Sequence, residues 1–249
     1  MINDIHIGPL TLHMYGLMIA VGYMSAFLIS EKRAKKQGLN PDILYGIFWC
    51  AVLGGALGSK ILYYLVHIKQ VIQDPSMILN FQNGWVVYGG IIGGVVSSWV
   101  YCHYKKVNCL HYLDLVLPAV AFAQGCGRIG CFFAGCCYGR ETESLLGITY
   151  WQSNFAPNGV KLIPTQIYSS IGDFGIAFLL MAYAKRKPKS GRVAAVYCIL
   201  YSIGRFFIEM LRNDYRGEIG FLSTSQLISV LILAVGIVLY IWSGKQKTE

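Results

Sequence analysis

Long runs of apolar residues recur along almost the whole chain, and short segments with most of the charge separate them. A helix needs about 20 apolar residues to cross the hydrocarbon core of a bilayer, and each run reaches that length. The pattern predicts an all-α integral membrane protein with seven transmembrane helices. The predicted spans lie at about residues 10–30, 42–66, 84–104, 112–135, 164–184, 192–212 and 222–243.

The lysines and arginines between the predicted spans fall mainly in alternate connections. The connections after the first, third and fifth spans and the C-terminal tail hold 13 of the 21 Lys and Arg residues, whereas the opposite set of segments holds 5. Cytoplasmic loops of membrane proteins carry an excess of these residues. We therefore expect the N-terminus outside and the C-terminus in the cytoplasm.

The composition agrees with a membrane protein. The chain is 55% hydrophobic and only 13% charged, whereas soluble domains carry roughly a quarter charged residues. The formal net charge of +9 does not indicate nucleic-acid binding, because the basic residues alternate with the spans instead of lining one face. We predict a single polytopic membrane domain over residues 1–249, with a connection at about 136–163 that folds over the outer face.

Charged residues inside a predicted span are costly and indicate function. Lys60, Arg128 and Arg205 lie in such positions. Glu209 follows Arg205 by four residues and Arg212 lies three further on, so these three share one helical face. Positive charge exceeds negative charge there, which favours a bound anion, and the planar arginine side chain suits the phosphate of a phospholipid. The alternative is a structural ion pair at Arg205, with Lys60 and Arg128 reaching to the membrane interface.

The segment GCGRIGCFFAGCCYG (125–139) is dense in glycine and cysteine around one arginine. Residues 125–130 match the G-x-G-x-x-G pattern of dinucleotide sites, but no strand precedes them and they lie within a predicted span. The context that such a site requires is therefore absent. The glycines instead fit the close approach of helices or of a ligand to the backbone. Further glycines at a similar spacing are Gly54, Gly58, Gly89, Gly90, Gly93 and Gly94.

The cysteines of this segment do not follow a metal-binding pattern. Neither a C-x-x-C pair nor a nearby histidine accompanies Cys126, Cys131, Cys136 and Cys137, so that no metal site is expected. The adjacent Cys136 and Cys137 could form a disulfide or supply a reactive thiol. A nearby arginine would favour the thiolate form.

Taken together, the motifs resemble those of the prolipoprotein diacylglyceryl transferase family, seven-helix bacterial membrane enzymes of lipoprotein maturation. The resemblance covers nearly the whole chain. The segments that carry it are HMYGLM (13–18), GSKILYY (58–64), VVYGGIIGG (86–94), DLVLPAVAFAQGCGRIGCF (114–132), PTQIY (164–168), GRFFIEMLR (204–212) and STSQLIS (223–229).

The resemblance implies transfer of the diacylglyceryl group of phosphatidylglycerol to the lipobox cysteine thiol of a preprolipoprotein, with release of glycerol phosphate. It implies a bacterial plasma membrane location and no metal, nucleotide or other cofactor. By the match, Arg128 and Arg205 bind the phosphate, Glu209 orients Arg205, Tyr15 lines the lipid site, and Tyr88 stands at a catalytic position. The other positions that it places in the lipid site are Lys60, Gly89, Gly90, Gly127, Gly130, Gly139 and Arg212.

Several positions depart from the family's motifs. Lys60 replaces an arginine, Tyr88 a histidine, Cys131 and Ala134 two asparagines, and Cys136 and Ser169 two glutamates. The phosphate-binding arginines therefore remain, whereas the usual candidates for a general base are gone. A tyrosine with a pKa of about 10 is a poor replacement at neutral pH.

Three functions remain open from the sequence. The first is the family reaction in a divergent form. The second is a related phospholipid-dependent transferase that delivers to another acceptor or uses Cys131, Cys136 or Cys137 as a relay thiol. The third is a lipid-binding or lipid-transporting membrane protein without catalysis.

Overall fold

Helices dominate the computed structural model, which describes residues 4–7, 10–79, 84–213, 218–219 and 222–245. The helices are α1 (Met14–Gln37), α2 (Pro41–Val66), α3 (Ile68–Gln73), α4 (Val87–Tyr104), α5 (Cys109–Ala134), α6 (Thr165–Ala184), α7 (Arg192–Leu211) and α8 (Thr224–Lys245), with a 3-10 helix at Pro75–Leu79. Three short antiparallel strand pairs join β1 (Asp4–Ile7) to β2 (Leu10–His13), β3 (Ile148–Thr149) to β4 (Lys161–Leu162), and β5 (Glu218–Ile219) to β6 (Leu222–Ser223).

Six helices in the described ranges are long and apolar enough to cross a membrane, namely α1, α2, α5, α6, α7 and α8. The prediction of an all-α integral membrane protein is therefore confirmed at this level. The predicted span at 84–104 corresponds to α4, an 18-residue helix in which glycine, serine, tyrosine and histidine lower the mean hydropathy.

The chain divides into two compact units, one of Met1–Ser30 and Leu113–Glu249, the other of Glu31–Tyr112. In the smaller unit, α2 packs against α4 through facing glycines. A Cβ atom on Gly58 would overlap the backbone of Gly89, and a Cβ atom on Gly93 would overlap the backbone of Gly54. The expected close helix approach is thus confirmed for this pair, since small residues let two backbones meet.

We expect Gly58→Ala to destabilise the smaller unit. The new side chain would overlap backbone atoms that cannot move as a flexible side chain can, and overpacking of this kind costs about 1–3 kcal/mol. Thermal unfolding of the purified protein in detergent should show a lower Tm than wild type. Gly175→Ala is the matched control, because that helical glycine has open space around its Cβ position. Equal Tm changes in the two variants would contradict this account of the packing.

In the larger unit, α5 lies among α1, α6 and α7. A Cβ atom on Gly22 of α1 would come within 2.9 Å of the Ala123 carbonyl oxygen. The Ser170 hydroxyl of α6 donates to the Gly125 carbonyl at 2.9 Å, and the Tyr197 hydroxyl of α7 donates to Gln124 at 2.9 Å. These contacts fix the helix that carries the cysteine-rich segment.

The connection between α5 and α6 is folded and attached to the ends of the helices. Its small apolar core is formed by Tyr150, Ala156 and Leu162. The backbone amide of Gly139 donates to the Ile163 carbonyl at 3.0 Å, and that of Arg140 donates to the Leu211 carbonyl of α7 at 2.9 Å. The connection thereby joins the end of α5 to the start of α6 and the end of α7.

Candidate functional site

The end of helix α5 is shaped by a tight turn. Gly135 has φ +72° and Cys137 has φ +62°, a left-handed conformation that glycine adopts easily and cysteine does not. The amide of Gly135 donates to the Phe132 carbonyl, and that of Cys136 to the Cys131 carbonyl, both at 3.2 Å. The turn therefore folds the chain back beside the last turn of α5.

Two fully buried side chains at the start of α6 hold this turn in place. The Thr165 hydroxyl donates to the Cys137 carbonyl at 2.7 Å, and the Gln166 amide nitrogen donates to the Cys136 carbonyl at 2.7 Å. Gln166 also contacts the Tyr150 hydroxyl at 3.2 Å. Burial raises the pKa of Tyr150 to about 12, so its phenol stays protonated and can donate at neutral pH.

The turn brings three thiols together. The sulfur atoms of Cys131, Cys136 and Cys137 all lie within 4.8 Å of one another. Hydrogen bonds with Cys131 and Cys137, together with burial, raise the pKa of the Cys136 thiol. The spacing of these cysteines along the sequence did not indicate the cluster. The chain reversal at Gly135 and Cys137 brings the sulfurs together, and a linear pattern does not show it.

A buried ion pair on α7 forms the second part of the site. Arg205 Nη2 lies 2.8 Å from Glu209 Oε2, and Arg212 Nε lies 3.9 Å from the same oxygen. The predicted face of three charged residues is thus present. Arg205 Nη2 also donates to the Ser225 hydroxyl at 3.2 Å, whereas the buried Arg205 Nη1 has no hydrogen-bond partner among the described residues.

A small cavity of about 50 Å³ lies in the larger unit between Arg128 and Arg205. The residues that line it include Arg128, Tyr168, Ser169, Asp173, Tyr201 and Arg205. No carboxylate in the described part of the chain forms an ion pair with Arg128. The cavity therefore presents two guanidinium groups, one of which has an unsatisfied donor.

Asp173 is a cavity residue that the motif comparison does not assign. It is 7% exposed and lies close enough to Arg128 and Arg205 for electrostatic interaction with both. It follows Ser169 by four residues, about one helical turn along α6. Ser169 also lines the cavity and stands where the family motif has a glutamate. An acidic residue inside a predicted span is itself a signal, and this one was available in the sequence.

Tyr15, Gly130 and the arginine of α5 lie together. A Cβ atom on Gly130 would meet the Tyr15 ring at 3.3 Å, and Tyr15 interacts electrostatically with Arg128 and with the three thiols. Gly127 has open space at its Cβ position. Gly139 forms a backbone bridge with Arg212. A Cβ atom on Gly139 would come within 2.8 Å of the Ile163 and Leu211 carbonyl oxygens, so glycine allows the close packing of the α5–α6 connection.

The remaining predicted residues belong to the smaller unit. Lys60 is 6% exposed, and its Nζ lies 4.8 Å from the Trp85 ring centroid and 5.9 Å from that of Tyr64. Tyr88 is 41% exposed. Gly89 and Gly90 face α2, where their Cβ positions meet the carbonyl oxygens of two other glycines. Helix packing accounts for both of these glycines.

The sequence is similar to a family model and to several bacterial enzymes. The model described as "Prolipoprotein diacylglyceryl transferase" matches residues 4–242. A Clostridium tetani protein named phosphatidylglycerol–prolipoprotein diacylglyceryl transferase is 47% identical over 231 residues, which cover 93% of each chain. Two Clostridium perfringens proteins carry the same name with the numbers 2 and 1. The first is 49% identical over 232 residues, 93% of this chain and 91% of its own. The second is 35% identical over 251 residues, 98% of this chain and 95% of its own.

Proposed function

Because this chain belongs to the prolipoprotein diacylglyceryl transferase family, we propose that it transfers the diacylglyceryl group of phosphatidylglycerol to a lipobox cysteine of a preprolipoprotein. Glycerol phosphate is the leaving group. The observation that carries this proposal for the site is the cavity between Arg128 and Arg205, with the unpaired donor at Arg205 Nη1. An anionic phosphate is the natural partner of such a donor set.

The two arginines act on the charge that develops when the bond to the phosphate breaks. Fixed donors in a water-poor site stabilise such charge more effectively than solvent does. Glu209 holds Arg205 in place through the 2.8 Å ion pair. Arg212 adds a further positive charge, with its Nε 3.9 Å from the same Glu209 oxygen. Because the carboxylate already fixes the guanidinium group, the arginine side chain loses less conformational entropy when the lipid binds.

The lipid-facing roles of the other candidates follow from the same proposal. Tyr15 lines the site beside Gly130 and Arg128, and the open space at Gly127 admits part of the lipid. The family resemblance further supports a lipid-binding role for Lys60, whose Nζ lies 4.8 Å from the Trp85 ring centroid, and a catalytic role for Tyr88. Gly89, Gly90 and Gly139 contribute by allowing close backbone packing.

The proposed membrane arrangement uses α4 as the seventh span. The single polytopic domain covers residues 1–249 in the plasma membrane of a bacterium, with the N-terminus outside and the C-terminus in the cytoplasm. The alternation of basic connections supports this orientation. The folded connection at 136–163 then lies over the outer face, on the side from which a secreted preprolipoprotein presents its cysteine.

We assign Asp173 a positioning role for the two arginines. Asp173→Asn should lower kcat by up to about 100-fold, because displacement of a binding group by 1 Å can cost that much. The variant keeps a side chain of nearly the same shape, so its Tm should stay close to that of wild type. Asp42→Asn, at an exposed position, is the control and should be neutral. A drop in Tm with unchanged kcat would contradict the positioning role.

The direct test of the proposed function is a release assay on the purified full-length protein in detergent. Phosphatidylglycerol labelled in its head-group glycerol is mixed with a lipobox peptide, or with the same peptide in which serine replaces the acceptor cysteine. Labelled glycerol phosphate should appear only with the cysteine peptide. Tight lipid binding without release would identify a lipid-binding protein, and equal release with both peptides would rule out a thiol acceptor.

A further inference from the structure

The three clustered thiols form a built site at the outer end of α5. Cys131 is 9% exposed, and Cys136 and Cys137 are partly exposed, so a small ligand can reach the cluster. The turn that presents them has its carbonyls bound by the buried side chains of Thr165 and Gln166. Such supporting hydrogen bonds orient ligands in metal sites. The left-handed Cys137 is backbone strain that this surrounding structure maintains.

The dimensions of the cluster suit zinc. A zinc–sulfur bond of about 2.3 Å in tetrahedral geometry places the ligand sulfurs about 3.8 Å apart. The three sulfurs here all lie within 4.8 Å of one another, so they reach that separation by movements of about 1 Å or less. Three protein ligands with an open fourth position are typical of catalytic zinc.

The charge around the cluster suits such a site as well. Three thiolates and one Zn²⁺ leave a net charge of about −1, since each thiolate carries one negative charge. Arg128 lies close enough to Cys131 and Cys137 to interact with both electrostatically. The same arginine lines the cavity that is proposed to hold the lipid phosphate. Arg128 therefore lies close to both the thiol cluster and the cavity.

We propose that Cys131, Cys136 and Cys137 bind one zinc ion, and that its fourth position takes the thiol of the acceptor cysteine. The second part rests on the proposed function. Zinc in this position would activate the acceptor thiol, a task for which the departures from the family motifs leave no usual general base. A thiol with a pKa of about 8.5 is mostly protonated at neutral pH, and coordination to zinc converts it to the bound thiolate, which is the nucleophile.

The group transfer then balances without any redox change. The acceptor thiol releases its proton to solvent when its sulfur binds the metal. The sulfur electron pair forms a C–S bond with the glycerol carbon of the lipid. The C–O bond to the phosphate breaks, and its electron pair stays on the phosphate oxygen, where Arg128 and Arg205 stabilise the charge. The product thioether carries no charge and is a weaker ligand than the thiolate, so it dissociates.

Metal content tests the site itself. The full-length protein is purified in detergent with a thiol reductant, loaded with zinc, freed of excess metal and analysed for zinc per chain. Wild type should hold one zinc ion, and each of Cys131→Ser, Cys136→Ser and Cys137→Ser should lose it. Cys126→Ser is the matched control, because Cys126 lies on the same helix outside the cluster and packs against Gly22. Cobalt in place of zinc should give thiolate charge-transfer absorption in wild type and Cys126→Ser only.

Three results would overturn the zinc site. They are no retained zinc in wild type, equal loss in Cys126→Ser, or a disulfide between two cluster cysteines in protein isolated without reductant. The transfer assay tests the delivery of the acceptor. Chelator-treated protein should lose transfer and regain it with zinc, while Arg128→Ala should bind zinc and not transfer. Full transfer by the zinc-free protein would overturn the delivery role and leave the proposed function standing. Zinc binding with no transfer in either form would instead overturn the proposed function.

Discussion

Replacing Arg128 by alanine should reduce kcat for diacylglyceryl transfer by about 10²–10³-fold, the usual cost of losing one preorganised donor to a developing negative charge. We expect kcat to change more than KM, because the phosphate gains charge as the bond breaks. Arg128→Lys should recover part of the rate, since lysine supplies the charge without the planar pair of donors. Steady-state kinetics with varied phosphatidylglycerol separates the two parameters.

The control for this variant is Arg140→Ala. Arg140 is exposed in the α5–α6 connection, and its described hydrogen bonds with Leu211 and Ile163 use backbone atoms. Its replacement should leave the rate unchanged. If folded Arg128→Ala keeps more than about a tenth of the wild-type rate, well above the loss expected for such a donor, the phosphate role of Arg128 is wrong.

Glu209→Gln should weaken both the fold and the reaction. The substitution leaves Arg205 and Arg212 buried without their shared carboxylate, and removal of one partner of a buried ion pair costs about 3–5 kcal/mol. Arg205 also loses the contact that orients it, so kcat should fall together with the free energy of unfolding. Thermal unfolding in detergent and the transfer assay measure the two effects on one preparation.

The matched control is Glu31→Gln. Glu31 forms an ion pair with Lys35 at 2.8 Å with the same spacing of four residues, but the Lys35 side chain is 63% exposed. Exposed ion pairs contribute little to stability, so this variant should unfold near the wild-type Tm and retain its rate. Similar losses in the two variants would show that burial does not decide the effect.

The positions of the membrane helices were largely predictable from hydropathy, and their ends were less so. The first span was expected at 10–30, whereas α1 covers Met14–Gln37 and the preceding Leu10–His13 pairs as a strand with Asp4–Ile7. The basic segment 31–36 consists of residues that favour helix, so the helix continues past the apolar run. Hydropathy marks where a chain crosses a bilayer, and it does not mark where hydrogen bonding in a helix stops.

The candidate site was predictable where a helical spacing determines it. The spacing of Arg205, Glu209 and Arg212 placed them on one face, and the contacts of both arginines with one Glu209 oxygen, at 2.8 Å and 3.9 Å, confirm this. The thiol cluster was missed because it depends on the left-handed turn at Gly135 and Cys137, which no residue spacing indicates. Asp173 was predictable in principle, because a carboxylate within a span is itself a signal, but its place beside Arg128 and Arg205 depends on how α6 packs.

In the proposed reaction this chain joins a lipid diacylglyceryl group to a cysteine sulfur. Mass spectrometry of a lipobox peptide, after incubation with the wild-type protein and phosphatidylglycerol, tests it most directly. We expect a diacylglyceryl group in thioether linkage on the acceptor cysteine and one glycerol phosphate released per modified peptide. An unmodified peptide in the presence of folded, lipid-bound protein would contradict it.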